Sequence, residues 1–443
     1  MSARFRLALP LAVSLSASLL GALPAQAFCG FYVGKADTQL FNESSQVVLA
    51  RDGDRTVITM SNDFKGELTE FALVVPVPTV LAKEQIHIGD RTVLEHLDAY
   101  SSPRLVEYFD ANPCQREEKD DTTKMRRSEM PSAPMSTSAP GRAKALGVTV
   151  EAQYTVGEYD ILMLSATESS GLETWLRENG YRIPPKASAA LTPYIRQDMK
   201  FFVAKVNLKA QKATGFQHLR PIQIAYESKK FMLPIRLGMA NSHGTQDLVI
   251  FALTRKGRVE ATNYRTTFMP TGQNIPDYVG KEFGAFYRAA FDTGYRKADG
   301  RALFTEYAWP IGTQQFCDPC SAPPFAATEL RSLGTFWRIA DANAPTYLTR
   351  MHVRYDAAHF PEDLVFQETG DMRQFQARYV MQHAYRGTES CSEMGPYREQ
   401  VRAREETEAK TLASLTGWSP GKIRQQMGLQ PASADPWYKS IWK

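Results

Sequence analysis

The residues with the most pointed chemical spacing are Cys317-Asp318-Pro319-Cys320. A Cys-x-Pro-Cys at the head of a helix resembles a thiol–disulfide exchange site, where the helix N-terminus stabilises the attacking thiolate. Pro323 and Pro324 follow closely, so Cys317 cannot open a regular helix that runs on past them. Nor does a strand followed by a thioredoxin-like helix surround the motif. A local structural disulfide is therefore favoured, with exchange through Cys317 and Cys320 as the alternative catalytic reading. A closed zinc site needs four ligands, and the chain has no second Cys-x-x-Cys.

Seven histidines are scattered along the chain without a His-Glu-x-x-His or comparable metal spacing. The densest patch of potential ligands is His352, Asp356 and His359, with Glu362 and Asp363 beside them. It suits a cation held by carboxylates, and hence a cation-dependent hydrolase, or a loop held by hydrogen bonds; the loop is the preferred reading. Gly238-Met239-Ala240-Asn241-Ser242-His243-Gly244 sets a serine beside a histidine. Adjacent residues do not readily make the hydrogen bond that nucleophilic catalysis needs, so this stretch reads as a turn. There is no Gly-x-Ser-x-Gly elbow, P-loop or dinucleotide fingerprint. No cofactor is expected, and the balance leans away from an enzyme.

Whatever chemistry exists is placed by a chain that starts with an export signal. Arg4 and Arg6 precede the apolar run from Leu7 to Leu20, and Ala25-Gln26-Ala27 fits a small-x-small cleavage site, so cleavage is expected after Ala27. The run is short of the roughly 20 residues a membrane span needs, and no later stretch is apolar for long enough. The expected address is periplasmic or extracellular. Export would remove only Arg4 and Arg6 from 52 basic against 48 acidic side chains, leaving the charge close to balanced. That excludes a nucleic-acid surface as the expected partner and leaves an envelope protein or a ligand of unknown kind.

In an oxidising compartment the five cysteines read first as disulfides. The expected pairs are Cys29 with Cys114 and Cys317 with Cys320, with Cys391 left over; Cys114 with Cys391 is the open alternative, since spacing does not settle connectivity.

The elements read as β-rich. Glu70 to Val75, ended by Pro76 and Pro78, is apolar nearly throughout, as in a strand covered on both faces. Gln46 to Ala50 and Thr56 to Met60 flank Asp52-Gly53-Asp54 as a hairpin. Ser102-Pro103 is expected to open a helix through Phe109, and Ser170 to form a capping box with Glu173. Further strands are expected at Phe201 to Leu208, Phe231 to Leu237 and Tyr347 to Tyr355, and helices at Pro276 to Phe291 and Tyr397 to Leu415. The fold class is α+β and β-rich, with two or more antiparallel, sandwich-like sheet regions and short peripheral helices. The expected segments are a signal peptide at 1–27, a β-rich domain at 28–118 and a disordered linker or long loop at 119–145. An α+β domain at 146–300 and a C-terminal α+β region with terminal helices at 301–443 complete them. Trp437, Tyr438 and Trp442 of the tail are expected to dock on the fold.

Several separated blocks carry a family resemblance: Phe28-Cys29-Gly30-Phe31-Tyr32-Val33, Phe71 to Pro78, and Asp98-Ala99-Tyr100-Ser101-Ser102-Pro103-Arg104-Leu105. Asp318-Pro319-Cys320, Arg354-Tyr355-Asp356 and His359-Phe360-Pro361-Glu362-Asp363-Leu364 complete the set. Together they resemble the bacterial domain of unknown function 2330 family, a group of exported proteins. The resemblance implies no established activity or catalytic residues. The expectation is an exported, soluble cell-envelope protein acting as a non-enzymatic binding or structural module.

Overall fold

Phe41–Asp52 and Arg55–Lys65 pair antiparallel around Asp52-Gly53-Asp54, as the two alternating runs predict. Gly53 takes a φ of 60°, a turn conformation that a residue without Cβ adopts freely. The computed structural model describes residues 31–34, 41–65, 71–115, 143–145, 147–179, 181, 187–207, 209–211, 219–240, 244–312 and 322–429. The leader with Ala27, Cys29, the Cys317–Cys320 motif, Ser242-His243 and the Trp437–Trp442 tail lie outside the described residues.

Along the hairpin, apolar side chains part by parity. Val47, Leu49, Ile58 and Met60 enter one core, whereas Val48 and Ala50 enter another on the opposite face. Alternate residues of a strand face opposite ways, so a run apolar at every position implies cover on both sides. Phe71–Val77 behaves likewise: Leu73, Val75 and Val77 share the first core, and Ala72 and Val74 belong to a third. Pro76 sits opposite Phe201, beyond Val74, the last residue paired with Phe31–Gly34, so its missing N–H removes no ladder bond on that side.

Phe71–Val77 lies in a six-stranded antiparallel sheet ordered Phe31–Gly34, Phe71–Val77, Lys200–Val206, Tyr159–Ala166, Val148–Val156, Ala143–Ala145. The hairpin lies in a nine-stranded sheet. Its order is Arg265–Phe268, Ala302–Ile311, Thr346–Tyr355, Gln246–Thr254, Phe41–Asp52, Arg55–Lys65, Ile222–Glu227, Ile86–Ile88, with Phe375–Gln376 beside Ala302–Ile311. This sheet is mixed: Gln246–Thr254 runs parallel to Phe41–Asp52, and Arg265–Phe268 parallel to Ala302–Ile311. The two sheets enclose the first core between them. Helices Ser169–Glu178 and Ala187–Arg196 cover the far side of the smaller sheet, and Arg91–Ser101 with Ala327–Ser332 that of the larger. The architecture is α+β and β-rich, a sandwich with peripheral helices. Strands from 28–118, 146–300 and 301–443 hydrogen-bond in the one large sheet, so these segments do not build separate sheets.

Several local expectations are corrected. Ser102 closes a helix instead of opening one: Asp90 caps Arg91–Ser101, and Arg104–Phe109 is a strand running parallel to Arg378–His383. Strand pairing with a segment far along the chain overrides the local Ser-Pro start signal. Ser170 forms no capping box, because Ser169–Glu178 starts from Glu168 and the Glu173 carboxylate accepts from Arg177. Phe231 to Leu237 is not one strand: Met232–Leu233 is followed by a helical turn, Arg236–Ala240, whose first N–H groups Asp363 engages. The expected linker stops short of 145, since Ala143–Ala145 pairs with Val148–Val156. Cys114 is bonded to Cys391 with a Cα–Cα distance of 5.8 Å, which replaces the expected Cys29–Cys114 pair. Residues 110–115 and 391 are brought together by the parallel strands Arg104–Phe109 and Arg378–His383, a contact that spacing does not reveal.

These two strands and Gln273–Asn274 form a small sheet against helices Phe283–Lys297 and Met394–Thr416. Gly280, in the turn before the first helix, fits because a Cβ there would stand 3.1 Å from Cε of Met381. On the second helix Glu408 is buried, its Oε1 3.6 Å from Arg404 Nε but without a hydrogen bond among the described residues. Burial pushes its carboxyl up to about 7, against the pull of Arg404 and helped by Glu405, Asp277 and Asp110. An unfolded glutamate releases its proton near the ordinary 4.5 while the folded one keeps it. Stability therefore falls as pH rises from about 4.5 to 7 through this group. Glu408→Gln should raise the urea midpoint in alkaline buffer and leave it nearly unchanged in acid; an equal change at both ends would refute the cost of burying this charge.

Candidate functional site

Within Thr346–Tyr355, Met351, Val353 and Tyr355 enter the inter-sheet core, so Arg350, His352 and Arg354 share the opposite face. Glu306 meets them from the next strand, at a bulge where the register shifts between Thr305 and Tyr307. Its carboxylate is fully buried: Oε2 accepts from Arg350 Nε at 2.6 Å, and Oε1 lies 3.1 Å from His352 Nδ1 and also accepts from the Tyr287 hydroxyl. Arg350 Nη1 reaches Asp98 Oδ1 at 2.5 Å. His352 Nε2 lies 3.4 Å from Asp247, which takes a two-pronged contact from Arg354 at 2.8 and 2.9 Å. Arg354 continues to Asp292 at 2.5 Å. Phe291 stacks on His352 with centroids 3.8 Å apart, closing the ladder from above.

Burial alone would raise Glu306, but Arg350 and His352 hold its carboxyl below the ordinary value. Asp247 is likewise lowered to about 2 against its burial, by His352 and Arg354. Burial works to lower His352, yet Asp247 and Glu306 win and raise it. The chemistry of such a ladder is to keep charges ionised in the interior and to lock three strands to two helices. Glu306 and Arg350 are too buried for a ligand to touch.

The ladder ends near the surface. Arg354 lies 5.6 Å over the Tyr295 ring, and Tyr295 meets the edge of His359 at 6.4 Å. His359 Nδ1 lies 2.8 and 2.9 Å from the two oxygens of Asp356. Burial would raise Asp356, but the backbone N–H groups of His359 and Ala358 and the imidazole hold its carboxyl low. An ionised carboxylate only accepts, so Nδ1 carries the proton and Nε2 is left for a ligand. His359 lines an open cavity of about 350 Å³ with Arg265, Arg301, Ala298 and Asp299, continuous with a second concavity bordered by Asn263, Tyr264 and Pro361. Arg265 and Arg301 are both exposed, and neither makes an ion pair or hydrogen bond through its side chain among the described residues.

The expected trio therefore splits. His352 belongs to the buried ladder, whereas Asp356 and His359 bind each other at the surface. Among the described residues no group of three or more His, Cys, Asp or Glu is arranged to hold a metal ion. Asp363 is structural: it accepts from the Tyr194 hydroxyl at 2.6 Å and from the backbone of Ile235 and Arg236. Glu306, Arg350, Arg265 and Arg301 were not legible as site residues. The available signals were the alternation of Arg350, His352 and Arg354 with Met351, Val353 and Tyr355, and one acid in the largely apolar Ala302 to Ile311.

A family model described as an uncharacterized protein conserved in bacteria matches residues 23–367. Comparison with curated proteins and with solved structures gave no match. No helix among the described residues is long and apolar enough to cross a membrane.

Proposed function

We propose, from the premise that the chain belongs to the domain of unknown function 2330 family of uncharacterized bacterial proteins, that it is an exported, non-enzymatic binding module of the cell envelope. The export reading rests on the Arg4 to Ala27 leader pattern and is supported by the Cys114–Cys391 bond, which suits an oxidising compartment. The observation that carries binding is the pair of guanidinium groups, Arg265 and Arg301, converging with His359 on one open concavity. Elsewhere the ladder's cations are matched by carboxylates, as Arg350 and Arg354 show. Cations that make no ion pair or hydrogen bond among the described residues, beside a cavity, are suited to an anionic ligand.

The test is a melting panel of oxyanion and cation salts at fixed ionic strength. Oxyanions should raise the melting temperature of the wild type and not of the Arg265→Ala, Arg301→Ala double variant. If no oxyanion raises it, or the double variant responds equally, the binding reading is wrong. Export is checked by N-terminal sequencing of protein purified from its native cell, expected to begin at Phe28; retention of Met1 overturns that part.

A further inference from the structure

We infer that the Arg265–Arg301–His359 cavity takes a tetrahedral oxyanion that still carries a proton, with hydrogen phosphate as the type, and that His359 reads that proton. This rests on the binding reading above and names its ligand class.

The two arginines are set by the sheet. Arg265 pairs with Ala302 in the parallel strand pair at the sheet's end, and Arg301 immediately precedes Ala302. The starts of the two strands thus lie against each other, and both arginines line the same cavity, where two like charges suit an anion between them. A guanidinium offers a planar fork of N–H donors matched to two oxygens of one oxyanion. The cavity of about 350 Å³ is open and has room for a small anion. A larger cavity of about 570 Å³ beside Ile86–Ile88 makes the contrast. Its charged lining residues are engaged: Arg91 with Glu95 at 2.9 Å, Arg220 with Glu158 at 2.6 Å, and Asp90 with the Thr92 N–H at 2.8 Å.

His359 supplies the selectivity. With the proton of its neutral ring fixed on Nδ1 by Asp356, Nε2 presents a lone pair. A lone pair faces a fully deprotonated oxygen unfavourably but accepts from a P–OH. In alkaline solution inorganic phosphate keeps one such proton, whereas sulfate and the dianion of a phosphomonoester have none. Asp299 is the carboxylate on the cavity wall, at a φ of 53° that asparagine also tolerates. It opposes any anion and selects against the more highly charged ones.

The experiment is calorimetric titration of the purified protein in alkaline buffer, with inorganic phosphate, sulfate and glycerol 3-phosphate as probes. Phosphate should bind about tenfold or more tightly than either of the others, and Arg265→Ala or Arg301→Ala should each weaken it by about tenfold. His359→Ala, with its unliganded melting temperature showing that it is folded, should bring the three probes to within about twofold of one another. Asp299→Asn should tighten all three. Phosphate and sulfate binding equally to the wild type, while still depending on both arginines, overturns this assignment and leaves the binding reading standing. Binding indifferent to both arginines, or no oxyanion bound, overturns both.

Discussion

Glu306→Ala is expected to cost the fold about 3–5 kcal/mol, the penalty for leaving buried charges without their partner. The carboxylate satisfies Arg350, His352 and Tyr287 together, with Arg350 buried and the Phe291 ring stacked on His352. Arg350 retains Asp98, which limits the loss without cancelling it. Urea unfolding of both proteins at one pH measures the difference. A second variant, Glu306→Leu with Arg350→Met, should be less destabilised than Glu306→Ala, because removing both members of a buried pair leaves nothing to desolvate. If Glu306→Ala loses under about 1 kcal/mol, water enters the ladder and the buried-pair account fails.

The ladder also has a defined pH window. His352 is held above its ordinary 6.5, so its contribution is complete below that value and disappears as pH rises through the raised one. Asp247 is held at about 2, so its contribution is complete above its ordinary 3.8 and disappears as pH falls towards about 2. Stability carried by these groups is therefore greatest between the two limits. His352→Gln should flatten the alkaline limb of the stability profile, and unchanged curvature there would remove the histidine from the account.

Cys391→Ser is expected to cost about 2–5 kcal/mol, since the bond to Cys114 closes a long loop. The sequence separation is 277 residues, so the unfolded chain gains much freedom when the link is cut. The bond also fastens the segment after Arg104–Phe109 to the segment before Met394–Thr416, two parts of the small sheet and its covering helix. Denaturant unfolding of the variant should show a lower midpoint, and a steeper denaturant dependence if the freed unfolded chain expands. A variant as stable as the wild type would mean that the link constrains nothing the folded contacts do not already hold.

Where side-chain pattern and local backbone preference agree, the sequence alone determined the outcome. The hairpin about Gly53, the doubly covered Phe71–Val77 and the alternating Thr346–Tyr355 are all local in origin. Strand period, turn residues and proline act over a few residues, and no distant partner contradicted them there. Tertiary structure decided the rest. Leu105 to Phe109 carries an apolar pattern that a helix or a strand can use, and only pairing with Arg378–His383 selects the strand. Cys114 had more than one candidate partner until those same strands fixed its neighbour. His352, Asp356 and His359 looked like one cluster by spacing, yet a strand end and a turn send the first into a buried ladder and the other two to an open cavity. Arg265 and Arg301 are ordinary surface residues in the sequence, and line one cavity because the starts of two parallel strands lie against each other. Charges act through space, and only the folded chain says which ones are close.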